Sequence, residues 1–326
     1  MVSRVSFALF LFLTALFAET ALSDTFGTGV NQFTLDFVAI SGTTNPTSGY
    51  GIVNYSYRMG TYEITNDQWN KFAASQGVPV LGNPITSYDE NFRDYGTGTT
   101  KVPTNNVSWF EAAQFVNWLN TSTGHQAAYK FTGTPGTSNY TFVNWSPSNP
   151  GYDANNPYRN SNAYYFLPSE NEWIKAAYWN GTSLQQYATK PDDSLIQGDG
   201  TSGTGWNYYE NGYATDPSGP WNVGRGSQEL NGTYDMMGNV VEWTESPRDD
   251  IFGDYNPNLS RGLFGGSWYS TYDILQSPSR NTAAGPSFEI ANAGFRVASV
   301  VPEPSSLALL LAAGLCSAAF LAKRRW

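Results

Sequence analysis

Glycine and proline constrain this chain most: 32 glycines and 18 prolines are spread through its 326 residues. Glycine weakens helices and strands and favours turns, and proline interrupts both. The chain is thereby cut into short segments, with many turns and long loops between them. Loops alone do not mean disorder. Aromatic residues make up 16% of the chain, including 11 Trp and 21 Tyr, and charged residues only 13%. Disordered chains show the opposite balance, because they lack the apolar surface that offsets the entropy of ordering. No linker rich enough to separate two domains is present, and no repeat recurs at a fixed period.

A few regular elements can be placed. Residues 33–39 alternate apolar and other side chains, the period of a half-buried strand. Thr65 precedes Asn66-Asp67-Gln68-Trp69, with Trp69, Phe72 and Ala73 at helical spacing. Ser108 is followed three residues on by Glu111, and Ser169 by Glu172. In such a capping box, hydroxyl and carboxylate each accept a hydrogen bond from a backbone N–H at the helix start. Ala112, Phe115, Val116 and Leu119 then share a face of one helix, and Trp173, Ala176 and Ala177 a face of another.

Two scarcities limit the chemistry. The chain has one cysteine, Cys316, and one histidine, His125. An internal disulfide is impossible, and so is a zinc site built on several Cys or His ligands. Any Ser-His-Asp or Cys-His arrangement would have to use His125, which is expected in an exposed loop at a helix C-terminus, while Cys316 lies in an apolar tail. The net charge is −10. Setting aside Arg4, Lys323, Arg324 and Arg325, with Glu19 and Glu303, leaves 13 basic and 25 acidic residues and a net charge of −12 for the middle. Such a surface repels phosphate backbones, so nucleic acid is not an expected partner. Acidic, Asn-rich loops suit calcium better. Paired acids such as Glu170 with Glu172, or Asp249 with Asp250, are candidates for acid–base chemistry, but adjacent acids usually mark solvated loops.

Both ends read as targeting segments. Residues 1–23 carry Arg4, an apolar run over 7–17 and small residues at Ala21-Leu22-Ser23, the pattern of a signal peptide. Residues 301–326 begin Val301-Pro-Glu-Pro304, continue as a small and apolar span over 305–322 near the length that crosses a bilayer, and end in Lys323-Arg324-Arg325. Basic residues stay cytoplasmic, which leaves residues 24–300 outside. This tail resembles the PEP-CTERM sorting signal of Gram-negative bacteria. The resemblance implies processing by exosortase-type machinery, an inner-membrane helix that anchors the protein transiently or permanently, and a link to extracellular polysaccharide. A plain tail anchor is the alternative.

Six motifs in residues 33–299 carry a second resemblance. They are Tyr62-Glu63-Ile64-Thr65-Asn66-Asp67-Gln68-Trp69; Val102-Pro103 with Asn106-Val107-Ser108-Trp109-Phe110-Glu111-Ala112; Phe166-Leu167-Pro168-Ser169-Glu170-Asn171-Glu172-Trp173; Tyr234-Asp235-Met236-Met237-Gly238-Asn239-Val240-Val241-Glu242-Trp243-Thr244; Gly265-Gly266-Ser267-Trp268; and Gly294-Phe295-Arg296-Val297. Their wording and order resemble the formylglycine-generating-enzyme, or sulfatase-modifying factor, family. The resemblance implies a single α+β domain of the C-type-lectin-like type with low regular secondary structure. It places Trp109, Trp118, Trp173, Trp243 and Trp268 in the core. The loop 140–165, with Tyr140, Trp145, Tyr152, Tyr158, Tyr164 and Tyr165 among Asn, Ser and Gly, reads equally as an adaptable binding surface or an ordered structural loop.

Catalytic members of that family hold copper(I) on two cysteines and use oxygen to convert a sulfatase cysteine to formylglycine. Aligned on Gly265-Gly266-Ser267, those positions fall on Ser270 and Leu275. Copper(I) needs soft thiolates, so copper is not expected here and the catalytic residues are lost. The resemblance also implies structural calcium. One site maps onto Asp235, the carbonyls of Gly238 and Val240, and Glu242; a second onto Asn207, the Tyr208 carbonyl and Asp216. The expected function is an exported, surface-tethered, non-catalytic binding module whose partner is extracellular polysaccharide or a surface protein. A formylglycine-generating oxidase and a structural matrix protein are the alternatives.

Overall fold

The sheets are built from short strands that mostly pair with their neighbours in sequence, and β12 and β13 return to pair with distant ones. The computed structural model describes residues 22–83, 86–87, 101–215, 218–248, 255–277 and 282–301. In order, the elements are β1 (Leu22–Phe26), β2 (Phe33–Ile40), β3 (Tyr57–Gly60), α1 (Asn66–Gln76), β4 (Leu81–Asn83), β5 (Thr86–Ser87), α2 (Trp109–Ser122), β6 (Lys130–Thr132), β7 (Thr141–Val143), β8 (Tyr165–Phe166), α3 (Glu170–Tyr178), β9 (Val241–Pro247), β10 (Arg261–Phe264), β11 (Thr282–Ala284), β12 (Ala293–Gly294) and β13 (Ala298–Val300). A five-stranded sheet runs β1-β2-β3-β13-β8 and a four-stranded sheet β11-β10-β9-β12, with two small hairpins. β13 pairs with β3 on one side and β8 on the other, so the end of the domain closes on its beginning. The result is one mixed α+β domain, as expected.

Each helix begins where its cap lies. Thr65, Ser108 and Ser169 accept from the N–H groups of Gln68, Glu111 and Glu172, and those three side chains accept from the cap N–H groups. Along β2, Phe33, Leu35 and Phe37 are buried, as the alternation in sequence expects, but the phase shifts at the strand's end, where Ala39 is exposed and Ile40 buried. One hydrophobic cluster gathers Phe33, Trp69, Phe115 and Phe295 with the buried face of α2; another gathers Tyr57, Met59, Trp173, Met236 and Met237 around α3. Trp109, Trp173, Trp243 and Trp268 are buried, and Trp118 is half-buried against the first cluster.

The expected signal segment 1–23, apart from Leu22 and Ser23, and the tail from 302 onward, with its span 305–322 and Cys316, lie outside the described residues, as do Asp216, Asp249 and Asp250. No helix among the described residues is long and apolar enough to cross a membrane.

Candidate functional site

The α3–β9 contact organises the polar interior. α3 supplies Glu172 and Trp173, and β9 supplies Glu242 and Glu245. These pairs serve two different arginines, Arg159 and Arg296.

Arg159 comes from the loop before β8. Its guanidinium lies 3.3 Å from Glu172 and 3.5 Å from Glu245, and 4.0 Å from the Phe166 ring centroid. The Tyr55 hydroxyl donates to Glu172 at 2.6 Å, while Asn156 and Tyr129 donate to Glu245 at 2.5 and 2.8 Å. Burial would raise the Glu172 pKa, but Arg159, Tyr55 and the Ser169 N–H together hold it below the usual carboxylate range. Burial pushes Glu245 up despite Arg159. Both glutamates are buried, so they hold the cluster together and do not meet solvent.

Above this cluster opens a cleft of about 860 Å³. Its wall includes Tyr55, Asn54, Asn156, Asn171 and Asp153, and its apolar rim Val300 and Val301 at the end of β13. Tyr55 remains 52% exposed although its hydroxyl is bound to Glu172, so the tyrosine offers the cleft its ring. Burial, then the neighbouring Glu172, raises the Tyr55 pKa far above the phenol range, which keeps that hydroxyl a donor.

Arg296 is buried. It binds Glu242 at 2.5 and 2.7 Å and the carbonyls of Gly60 and Tyr234 at 3.0 and 2.9 Å. The Trp173 indole donates to Glu242 at 2.7 Å. Both Glu242 oxygens are therefore engaged. So are those of Asp235, by the Trp221 indole and the Gly224 N–H. Gly238 brings the two expected calcium segments together: it bridges to Asn207, and a Cβ added to it would lie 2.1 Å from the Asn207 carbonyl oxygen. Its φ of 81° is also one that glycine adopts without strain. Val240 donates its N–H to the buried Glu63. The Asn207 side chain donates to Gly219 and Asn239, but its Oδ1 is buried with no hydrogen-bond partner among the described residues, and Tyr208 beside it is buried too.

Ser270 and Leu275 come together around Gly266: a Cβ built there would lie 3.1 Å from Ser270 Cβ and 3.0 Å from Leu275 Cδ1. Ser270 accepts from the Ser267 N–H, and Leu275 is fully buried.

Several expectations need correction. Glu170 and Glu172 are buried in the first turn of α3, not solvated, because Ser246 and Ser169 tie that turn down. In the loop 140–165, Tyr158 and Tyr165 are buried and Tyr140, Trp145, Tyr152 and Tyr164 half-buried, so its aromatics mainly pack and its amides reach the cleft. His125 is exposed just beyond α2, as expected, and stacks on Tyr164 at 4.5 Å. The joint role of Tyr55, Arg159 and Glu245 had no signal in the sequence, because no spacing links residues so far apart; the capping-box glutamate was the one legible member.

Four buried carboxylates, Glu63, Glu229, Asp235 and Glu245, have raised pKa values, chiefly from burial, and Glu229 is pushed up to about 8. A raised folded-state pKa means the native state holds protons that the unfolded chain has released. That contribution is complete below the ordinary carboxylate pKa of about 4.5 and is lost as pH rises towards about 8. Urea denaturation should therefore give a higher unfolding free energy near pH 5 than near pH 8. The reverse slope would show these groups ionised throughout.

The profile described as the sulfatase-modifying factor enzyme 1-like domain matches residues 28–301. No curated protein matches. Among solved structures, Treponema denticola variable protein 1 is 22% identical with a TM-score of 0.56, over 86% of this chain and 100% of that one. A crystal structure of CarF is 18% identical with a TM-score of 0.55, over 82% and 99%. PvdO from Pseudomonas aeruginosa is 15% identical with a TM-score of 0.51, over 85% and 98%. At these identities the likenesses concern the fold alone. With its ordered motifs and a profile match across most of its length, the chain belongs to the sulfatase-modifying factor enzyme 1-like family.

Proposed function

We propose that this chain is an exported, surface-tethered, non-catalytic binding module whose ligand is extracellular polysaccharide, held in the cleft above Arg159. The observation that carries the reading is that cleft: an open cavity with an immobilised, half-exposed tyrosine ring and neutral amide side chains. Sugar rings present apolar C–H faces and rows of hydroxyls, which rings and amides complement. The signal-like start and PEP-CTERM-like tail support export, inner-membrane anchoring and exosortase-type processing. The hydroxyl and aliphatic side chains at positions 270 and 275 support loss of the copper chemistry.

Calcium in this reading is structural. The unpartnered Asn207 Oδ1 suits a hard cation, with the Tyr208 carbonyl and Asp216 as its neighbours in sequence. The Asp235 and Glu242 carboxylates are committed to other donors, so the arrangement fits an ion at Asn207 better than at the downstream segment.

The test is binding of the full chain, purified in detergent, to a panel of bacterial polysaccharides with calcium and with chelator. Saturable binding is expected, with a lower Tm in chelator. A calcium-dependent Tm without any polysaccharide binding would sink the glycan reading and favour a matrix role. Copper-dependent turnover of a sulfatase-type peptide would overturn the non-catalytic one.

A further inference from the structure

The cleft is electrically closed to anions although an arginine lies in its wall. Arg159 is shared by Glu172 and Glu245, so its charge is already matched before any ligand arrives. Asp153, also in the wall, adds a carboxylate. Three asparagines there share one arrangement. Asn54 accepts from Asn45 through Oδ1, Asn171 accepts from the Gly51 N–H through Oδ1, and Asn156 donates to Glu245 through Nδ2; among the described residues the other end of each amide has no partner. Each amide is fixed by one end and presents the other. With the Tyr55 hydroxyl engaged by Glu172, the cleft offers a rigid ring, two uncharged donors and one uncharged acceptor. Fixing these groups in advance lowers the entropy cost of binding.

We infer that this cleft selects uncharged polysaccharide segments and excludes uronate-containing ones. The inference rests on the polysaccharide reading above and deepens it. A neutral sugar gains stacking on Tyr55 and hydroxyl bonds to the free amide ends. A uronate would meet Asp153 with no unmatched cation to receive its carboxylate, and like charges brought together in a partly desolvated site repel.

The probes are oligosaccharides of neutral glucans, galactans and mannans beside oligomers of polygalacturonate and alginate, titrated against the full chain in detergent. Binding is expected only among the neutral probes, and it should be insensitive to ionic strength because no charge pair forms. Tyr55→Ala should weaken it about tenfold or more, equivalent to ~1.4 kcal/mol, while Tyr55→Phe, which keeps the ring but loses its anchor on Glu172, should weaken it less. Asn171→Asp preserves the acceptor for Gly51 but removes the free donor, and should weaken binding several-fold without lowering Tm. Uronate binding by the parent chain would overturn the selectivity. Neutral binding that ignores Tyr55→Ala and Asn171→Asp would place the saccharide elsewhere and overturn the cleft assignment, leaving the polysaccharide reading standing. If no probe binds, the polysaccharide reading falls and this inference with it.

Discussion

Arg296→Ala is expected to destabilise the domain by about 3–5 kcal/mol, the usual cost of stripping one partner from a buried ion pair. Arg296 is fully buried and grips Glu242 through two nitrogens while also satisfying backbone carbonyls on both sides. Its removal would leave Glu242 buried without its counter-charge. Glu63 and Glu229, also buried and held lower by Arg296, would have their already raised pKa values pushed further up. Lysine should rescue only part, since an ammonium cannot reproduce the guanidinium fork. Glu242→Gln in the alanine background should return part of the loss by deleting the stranded charge. Urea midpoints for the parent, both single variants and the double variant decide this. A loss under about 1 kcal/mol for Arg296→Ala would mean that the Arg296–Glu242 pair contributes little to stability.

Trp173→Ala should cost a similar ~3–5 kcal/mol by a different route. The indole is fully buried against Tyr178 and Phe264, with ring centroids 5.9 and 5.5 Å away. Deleting it opens a cavity in a close-packed cluster and takes a 2.7 Å donor from Glu242. Trp173→Phe separates the two effects. It keeps most of the ring volume and loses the N–H, so about 1–3 kcal/mol is expected from the deprived carboxylate. Because Trp173 and Arg296 share Glu242, their effects should not add, and a double-mutant cycle should return a coupling of at least ~0.5 kcal/mol. Strict additivity would show that the two donors act independently.

Local features were the most legible in the sequence. The caps at Thr65, Ser108 and Ser169 and the alternation of β2 depend on neighbours a few residues apart, and each appears where it was expected. The ordered motifs revealed the fold because the family's packing is written into them. The cleft was not legible. Its tyrosine and arginine and the two glutamates buried beneath it lie at positions 55, 159, 172 and 245, and only the closing of β13 between β3 and β8 with the packing of α3 on β9 brings them together. The aromatics of the loop 140–165 drew attention by composition, yet several serve packing; the residues left with unused hydrogen-bonding ends are asparagines, which in sequence look like ordinary loop residues.

Glu172 completes the cap of α3, anchors Tyr55 and balances Arg159. One residue thus serves a helix start, a tyrosine and a buried arginine at once, so natural variation or laboratory diversification should find it nearly immovable. The exposed Asn54 above it carries fewer such obligations, whereas Tyr55 and Asn156 each donate to a buried glutamate. Exchange at position 54 is therefore expected to cost little stability, while exchange of Tyr55 or Asn156 strips a donor from a buried carboxylate and falls on the same base that Glu172 holds together.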